Sequence, residues 1–312
     1  VVDERDYRSF TDPWFPFGRA IGKRCTVSNT QFNWLNASVL TATPIAALVL
    51  AFLYVASQGF VWTDLVPFVA MYFLTGLAVT AGYHRYYAHR TYDCHPIVQA
   101  FVLIFGAAAL QNSALIWVSD HRSHHRHVDQ AADPYNIKRG FLWAHIGWIL
   151  FEDVPVTRDH SNVRDLEKSR LVRLQARFYV PLAVGIGLGV PFLIGLAFDR
   201  PWGGMLWGGL VRTVFVHHCT FLINSAAHFV GKRPYATEIS ARDNGWLALL
   251  SYGEGYHNFH HAFPGDYRNG IAWYHWDPTK WTIRGLSLAR LAWGLRRTPA
   301  PAIARRKAVS AR

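Results

Sequence analysis

The sequence predicts an all-α integral membrane protein: four transmembrane helices in two hairpins, with a helical cap that carries a histidine-rich metal site. Three observations lead there. Of 312 residues, 51% are hydrophobic and only 17% charged, and the mean hydropathy is +0.06, whereas a soluble domain carries about 25% charged residues. Four apolar runs are long enough to cross a bilayer. The chain also holds 16 histidines, against roughly 7 expected at ordinary usage.

Composition excludes several classes. The 13 Trp, 14 Tyr and 20 Phe give far more apolar surface than a disordered chain carries. Three cysteines, Cys25, Cys94 and Cys219, show no CxxC spacing, so neither a disulfide framework nor a thiolate zinc site is indicated. The opening VVDERDYRSFTDPW contains no cleavable signal peptide.

The first run, 38–57, has about 20 residues without a charge and reaches roughly 30 Å, one hydrocarbon thickness. A second, 64–83, follows after a short loop, and 178–198 and 203–223 repeat the arrangement across Asp199-Arg200-Pro201. Lys and Arg avoid the first hairpin loop, and the second has only Arg200. By the positive-inside rule both termini, the long middle segment and any site they carry are expected on the cytoplasmic side. Net charge is +12, and the basic tail 295–312 is read as solvated against anionic lipid headgroups, with no role for nucleic acid. Residues 96–118 are apolar enough to cross, but crossing would separate the histidines on either side, so this segment is expected to dip into the membrane without spanning it. No linker divides the chain, which is expected to form one membrane domain over 1–312.

Three histidine clusters fall on the expected cap side: His84 and His89 in HRYYAH, His121, His124 and His125 in HRSHH, and His257, His260 and His261 in HNFHH. HxxHH on a helix aims three imidazoles at one place, because i, i+3 and i+4 share a face. HxxxxH does not fit one face of an ideal helix, and a distortion is expected where the second span leaves the membrane. Asn224 and His228, four apart, stack at the end of the last span. Neutral imidazole is the commonest transition-metal ligand. Nine histidines shared by two metals give four or five each, which favours two irons over two zincs, since zinc is content with about four ligands. His95, His127, His145, His160 and His275 are expected at the surface or in packing, and His217 and His218 inside the last span.

These residues resemble the integral-membrane fatty acid desaturases, within them the Δ9 stearoyl-CoA branch and its bacterial relatives. Beyond the histidine boxes the likeness includes TAGYHR, DPYNIKRGF, AHIGW, LINSAAHFVGKRPY and GEGYHNFHH, and it runs from about Asn33 to Trp293. It implies an acyl desaturase, an oxidoreductase that uses O₂ and an external electron donor to insert a cis double bond at Δ9. It implies that the nine histidines hold two iron ions, with Asn224 reaching one through water. By alignment Asn36, Asn112 and Asp120 match positions near the acyl headgroup.

Where animal acyl-CoA enzymes carry cations, this chain has Ser119 and Glu152-Asp153. That weakens the case for CoA and leaves a lipid acyl carrier open. No HPGG cytochrome b5 segment or CxxC rubredoxin segment stands in the sequence, so electrons are expected from a separate cytochrome b5-, ferredoxin- or rubredoxin-type protein with its reductase. Absence of long extensions and the Arg/Ala-rich tail point to a bacterial inner membrane.

Spacing adds a tunnel hypothesis. Tyr72, Gly76, Thr80 and His84 recur every four residues, so Tyr72 lies roughly 18 Å below the metals, placed to cap the methyl end of an acyl chain. Two rival functions remain: a membrane di-iron hydroxylase of alkyl or lipid chains, and a membrane haem or metal carrier.

Overall fold

The computed structural model describes residues 29–154 and 160–311. Four helices are long and apolar enough to span a membrane: α1 (Trp34–Gln58), α2 (Trp62–Ala88), α5 (Tyr179–Leu196) and α6 (Pro201–His228). Between α2 and α5 lie α3 (Pro96–Ala107) and α4 (Ala114–His127), and after α6 come α7 (Gly245–Leu250), α8 (His257–Ala262), α9 (Pro278–Leu288) and α10 (Ala300–Ser310). The second and fourth spans are longer than their apolar runs. Their 27 and 28 residues reach about 40 Å, so both continue past the hydrocarbon layer and carry His84 and His228 into the cap.

The fold is all-α in its architecture, as expected. The described residues also hold two small antiparallel ladders, β1 (Asn29–Phe32) with β3 (Phe151–Val154), and β2 (Asp93–Cys94) with β4 (Ala292–Trp293). Both are tie points where distant segments of the chain meet in extended form. They do not form a layer.

At the far end of the bundle the two hairpin loops are joined by an ion pair between buried Asp64 and partly exposed Arg200. Arg200 donates from Nε and Nη2 to the two oxygens of Asp64 at 2.8 and 2.9 Å, and from Nη2 to the Gly59 carbonyl at 2.9 Å. Such a bidentate contact fixes geometry as well as charge.

Only part of 96–118 before the next turn is helical. α3 has 12 residues, about 18 Å, too short for a bilayer, and the chain then reverses through Leu110 and Asn112, both at positive φ, into α4. Backbone polar groups at membrane depth must find protein partners. Two side chains of α6 supply them. Fully buried Arg212 donates to the carbonyls of Ala108 (2.9 Å) and Gly208 (3.0 Å), with a longer contact to Gly187. His217 Nε2 lies 3.1 and 3.0 Å from the carbonyls of Ala109 and Leu110. The turn is therefore closed by the last span, and His217 packs on it. The basic tail is not wholly extended: α10 docks through Arg306, which donates to the Tyr235 carbonyl at 2.7 Å and pairs with Glu238.

Candidate metal centre

The end of α2 explains the awkward HxxxxH spacing. Residues Ala78–Ala88 wind as a π-helix, with hydrogen bonds five residues apart, and His89 N donates to His84 O at 3.1 Å. That wider turn brings positions i and i+5 onto one face. HxxHH on α4 and on α8 follows ordinary helical geometry, and His228 sits on a short 3₁₀ turn, Ala226–His228.

The nine histidines converge in two groups. His84, His89, His121, His125 and His260 form one, and His124, His228, His257 and His261 the other, with the donor nitrogens of each group within 4.8 Å of one another. In the first, Nε2 atoms approach at 3.0 Å (His84–His260), 2.8 Å (His89–His121) and 2.9 Å (His260–His125). In the second the approaches are 3.2 Å (His124–His261), 3.0 Å (His257–His228) and 3.1 Å (His261–His257). The His125 and His261 rings stack across the two groups at 4.2 Å.

Second contacts decide which nitrogen carries the proton. His84 Nδ1 lies 2.9 Å from Glu254, His124 Nδ1 lies 2.8 Å from Asp133, and His228 Nδ1 lies 2.7 Å from the Ser240 hydroxyl, which Asp129 holds in turn. A proton on each Nδ1 leaves the Nε2 lone pair facing inward. Lone pairs so crowded repel unless a cation stands among them, so the donor set fits metal ions.

Electrostatics agrees. Burial, and then the neighbouring imidazoles, push His121, His125, His260 and His261 well below the ordinary histidine range, and burial takes His257 to about 3. These rings are neutral at physiological pH, as ligation requires. Glu254 is buried, which raises its pKa, but His84 and Arg85 beside it more than offset that and hold it at about 2. Arg85 donates to Glu254 at 2.9 Å and to Asp277 at 3.0 and 3.2 Å, so the carboxylate is held from both sides.

Beneath the histidines lies a narrow, half-open cavity. Its upper wall includes His84, His121, His124 and His257, and its lower wall is largely apolar, with Gly76, Val79, Val216, Cys219 and Ile223. Asn224 lines it too, beside His124 and His257.

The substrate positions drawn from the sequence are only partly brought there. Gly76 lines the cavity. Tyr72 does not: its hydroxyl donates to the Leu250 carbonyl at 2.8 Å, and the Tyr252 ring, 4.6 Å away, stands between it and the cavity. Asn36 Nδ2 donates to the Ile149 carbonyl at 3.1 Å, and the Asn112 backbone donates to the Tyr179 hydroxyl at 3.0 Å. Asp120 is buried on α4 beside His121. None of those three lines the cavity.

Ser119 is held by Asn162, and the side chains of Glu152, Asp153 and His160 lie outside the described residues, as does Cys25. His145 meets His218 at 3.1 Å and Ser225 at 3.0 Å, and His275 stacks on Tyr256. Sequence reasoning missed Glu254, Asp133, Asp129, Ser240 and Tyr252. The first two stand inside quoted motifs, GEGYHNFHH and DPYNIKRGF, where a carboxylate close to a histidine box is the available signal.

Residues 60–294 match the family model for fatty acid desaturase. The chain belongs to the fatty acid desaturase family. It is 40% identical over 271 residues to a probable acyl-CoA desaturase of Schizosaccharomyces pombe, covering 86% of this chain and 56% of that one. It is 32% identical to the sn-1 stearoyl-lipid 9-desaturase of Anabaena variabilis, covering 86% and 95%, and 32% identical to human stearoyl-CoA desaturase, covering 88% and 77%. This desaturase-family chain thus spans about half the length of the yeast acyl-CoA relatives it matches.

Proposed function

We propose that this chain is an O₂-dependent di-iron acyl desaturase that inserts a cis double bond at Δ9 into a saturated acyl chain carried on CoA or a lipid. The observation that carries the reading is the pairing of two inward-facing imidazole groups with an apolar cavity directly beneath them. Bound irons would supply, with O₂ and two electrons, an oxidant able to take hydrogens from unactivated methylenes, which no side-chain acid or base can do.

Five imidazoles would hold one iron and four the other, with Asn224 placed to reach the second group through water. Val79, Val216 and Ile223 present a dry surface for methylenes. Glu254 and Asp133 keep protons on the outer nitrogens of His84 and His124, so that the inner ones stay available as donors.

Tyr252, not Tyr72, is the residue that bounds the cavity where a methyl end would lie. A hydroxylase would need the same oxidant; the family relatives named as desaturases favour loss of a second hydrogen instead. A haem carrier needs only two axial ligands, and nine convergent imidazoles do not suit it.

The distribution of Lys and Arg supports a cytoplasmic site and termini, and the membrane is read as a bacterial inner membrane. A separate cytochrome b5-, ferredoxin- or rubredoxin-type protein would deliver electrons to the basic cap. The test is metal analysis of chain purified from iron-supplemented cells. Two irons per chain are expected, falling to one or fewer in His125→Ala, and a Soret band would refute the reading.

A further inference from the structure

α7 is six residues long, with the sequence GWLALL, and its position is unusual. The Tyr72 hydroxyl donates to the Leu250 carbonyl at 2.8 Å, and the Tyr252 hydroxyl donates back to the Tyr72 carbonyl at 2.7 Å. Tyr72 lies ten residues after Trp62 and twelve before His84, hence about 15 Å from one end of the span and about 18 Å below the histidines. That is close to the middle of a hydrocarbon layer of about 30 Å. The end of α7 is therefore held at bilayer depth.

Its chemistry matches that depth. No residue in 245–250 is charged. Trp246 is 82% exposed, Leu249 44% and Leu250 40%, an apolar face with no protein partner. Several of its backbone groups, by contrast, are closed by protein, as immersion in lipid favours. The Asn244 side chain accepts from the amides of Trp246 and Leu247, Gly253 N donates to the Ala248 carbonyl, the Ser251 hydroxyl donates to the Leu247 carbonyl, and Tyr72 satisfies Leu250.

The other side of the same segment faces inward. Ser251 and Tyr252 line the cavity with Gly76 of α2 and Val216 of α6. We propose that residues 245–252 form a re-entrant segment, immersed in the acyl core of the bilayer, whose outer face is covered by lipid tails and whose inner face is the wall between the bilayer and the cavity. This rests on geometry and holds whatever reaction the histidines support.

Nitroxide labels at Trp246→Cys and Leu249→Cys, with Cys25→Ser and the native Cys94 and Cys219 buried, test it in liposomes. Both sites point away from packed protein. Collision with oxygen relative to a water-soluble nickel chelate is expected at least tenfold higher at both than at Val309→Cys on α10. A second measurement uses the unsubstituted chain: a lipid-soluble carbene reagent is expected to label 246–250 together with α1. Chelate collisions at 246 and 249 equal to those at 309, or carbene labelling of α1 that skips 246–250, overturns the proposal.

Discussion

Gly76 has no room for a methyl group. A Cβ built there would stand 1.9 Å from Tyr252 Cζ and 2.2 Å from its hydroxyl oxygen, so Gly76→Ala must displace that ring by more than an ångström. Displacement breaks the 2.7 Å bond from Tyr252 to the Tyr72 carbonyl, about 1 kcal/mol. Overpacking adds about 1–3 kcal/mol, for a total of roughly 2–4 kcal/mol.

At about 2 °C per kcal/mol for a chain of this size, the detergent-solubilised protein should lose about 4–8 °C in thermal midpoint. Tyr252→Val removes the ring, and the double variant Gly76→Ala, Tyr252→Val should recover at least half the loss, a coupling expected of residues in contact. In the same series Tyr252→Val should shift products towards longer chains while Tyr72→Ala does not. Gly76→Ala with wild-type stability, or no coupling in the double variant, would refute the placement of Tyr252 against the second span.

Other consequences follow from separate parts of the molecule. Asp64→Asn should cost about 1 kcal/mol, read as a slightly lower thermal midpoint, because it leaves the Arg200 guanidinium half-paired at a partly solvated contact between the two hairpin loops. Arg212→Met should disturb the turn at 108–113, which then presents the Ala108 carbonyl without its donor, and limited proteolysis of the detergent-solubilised protein around 108–113 should rise. Acid should destabilise the metal-free protein. His89, His121, His125, His257, His260 and His261 all titrate below the ordinary value when folded, so below about pH 6.5 the unfolded chain binds more protons. Each of these histidines then removes up to about 1.4 kcal/mol per pH unit, and thermal midpoints measured from pH 7.5 to 5.5 should fall monotonically. A flat profile would contradict burial of the neutral rings.

Much of the arrangement was legible in residues alone, for physical reasons that can be named. HxxHH on α4 and α8 declares its geometry because helical periodicity is local, and 38–57 declares itself by matching one hydrocarbon thickness, whereas 96–118 matches it too and is set apart only because crossing would divide the histidines. His84 and His89 were harder. Their five-residue offset makes sense only with the widened winding at the end of α2, a departure that no local propensity specifies. Arg212 and His217 read as awkward polar residues in an apolar span, and their purpose depends on a turn about 100 positions earlier in the chain. Tyr72 shows the limit most plainly. Its spacing puts it on the face of α2 below His84, as the repeat of four requires. Insertion of 251–252 between that face and the cavity is a tertiary event, and it hands the position to Tyr252.

The most direct test of the account is the fatty-acid profile of a bacterial host expressing the chain, with double bonds located by mass spectrometry and His261→Ala expressed beside it. A new cis monoene at Δ9 that vanishes in the His261→Ala host is the expected result. A hydroxylated lipid in place of the monoene, or a monoene that persists in the variant, would contradict it.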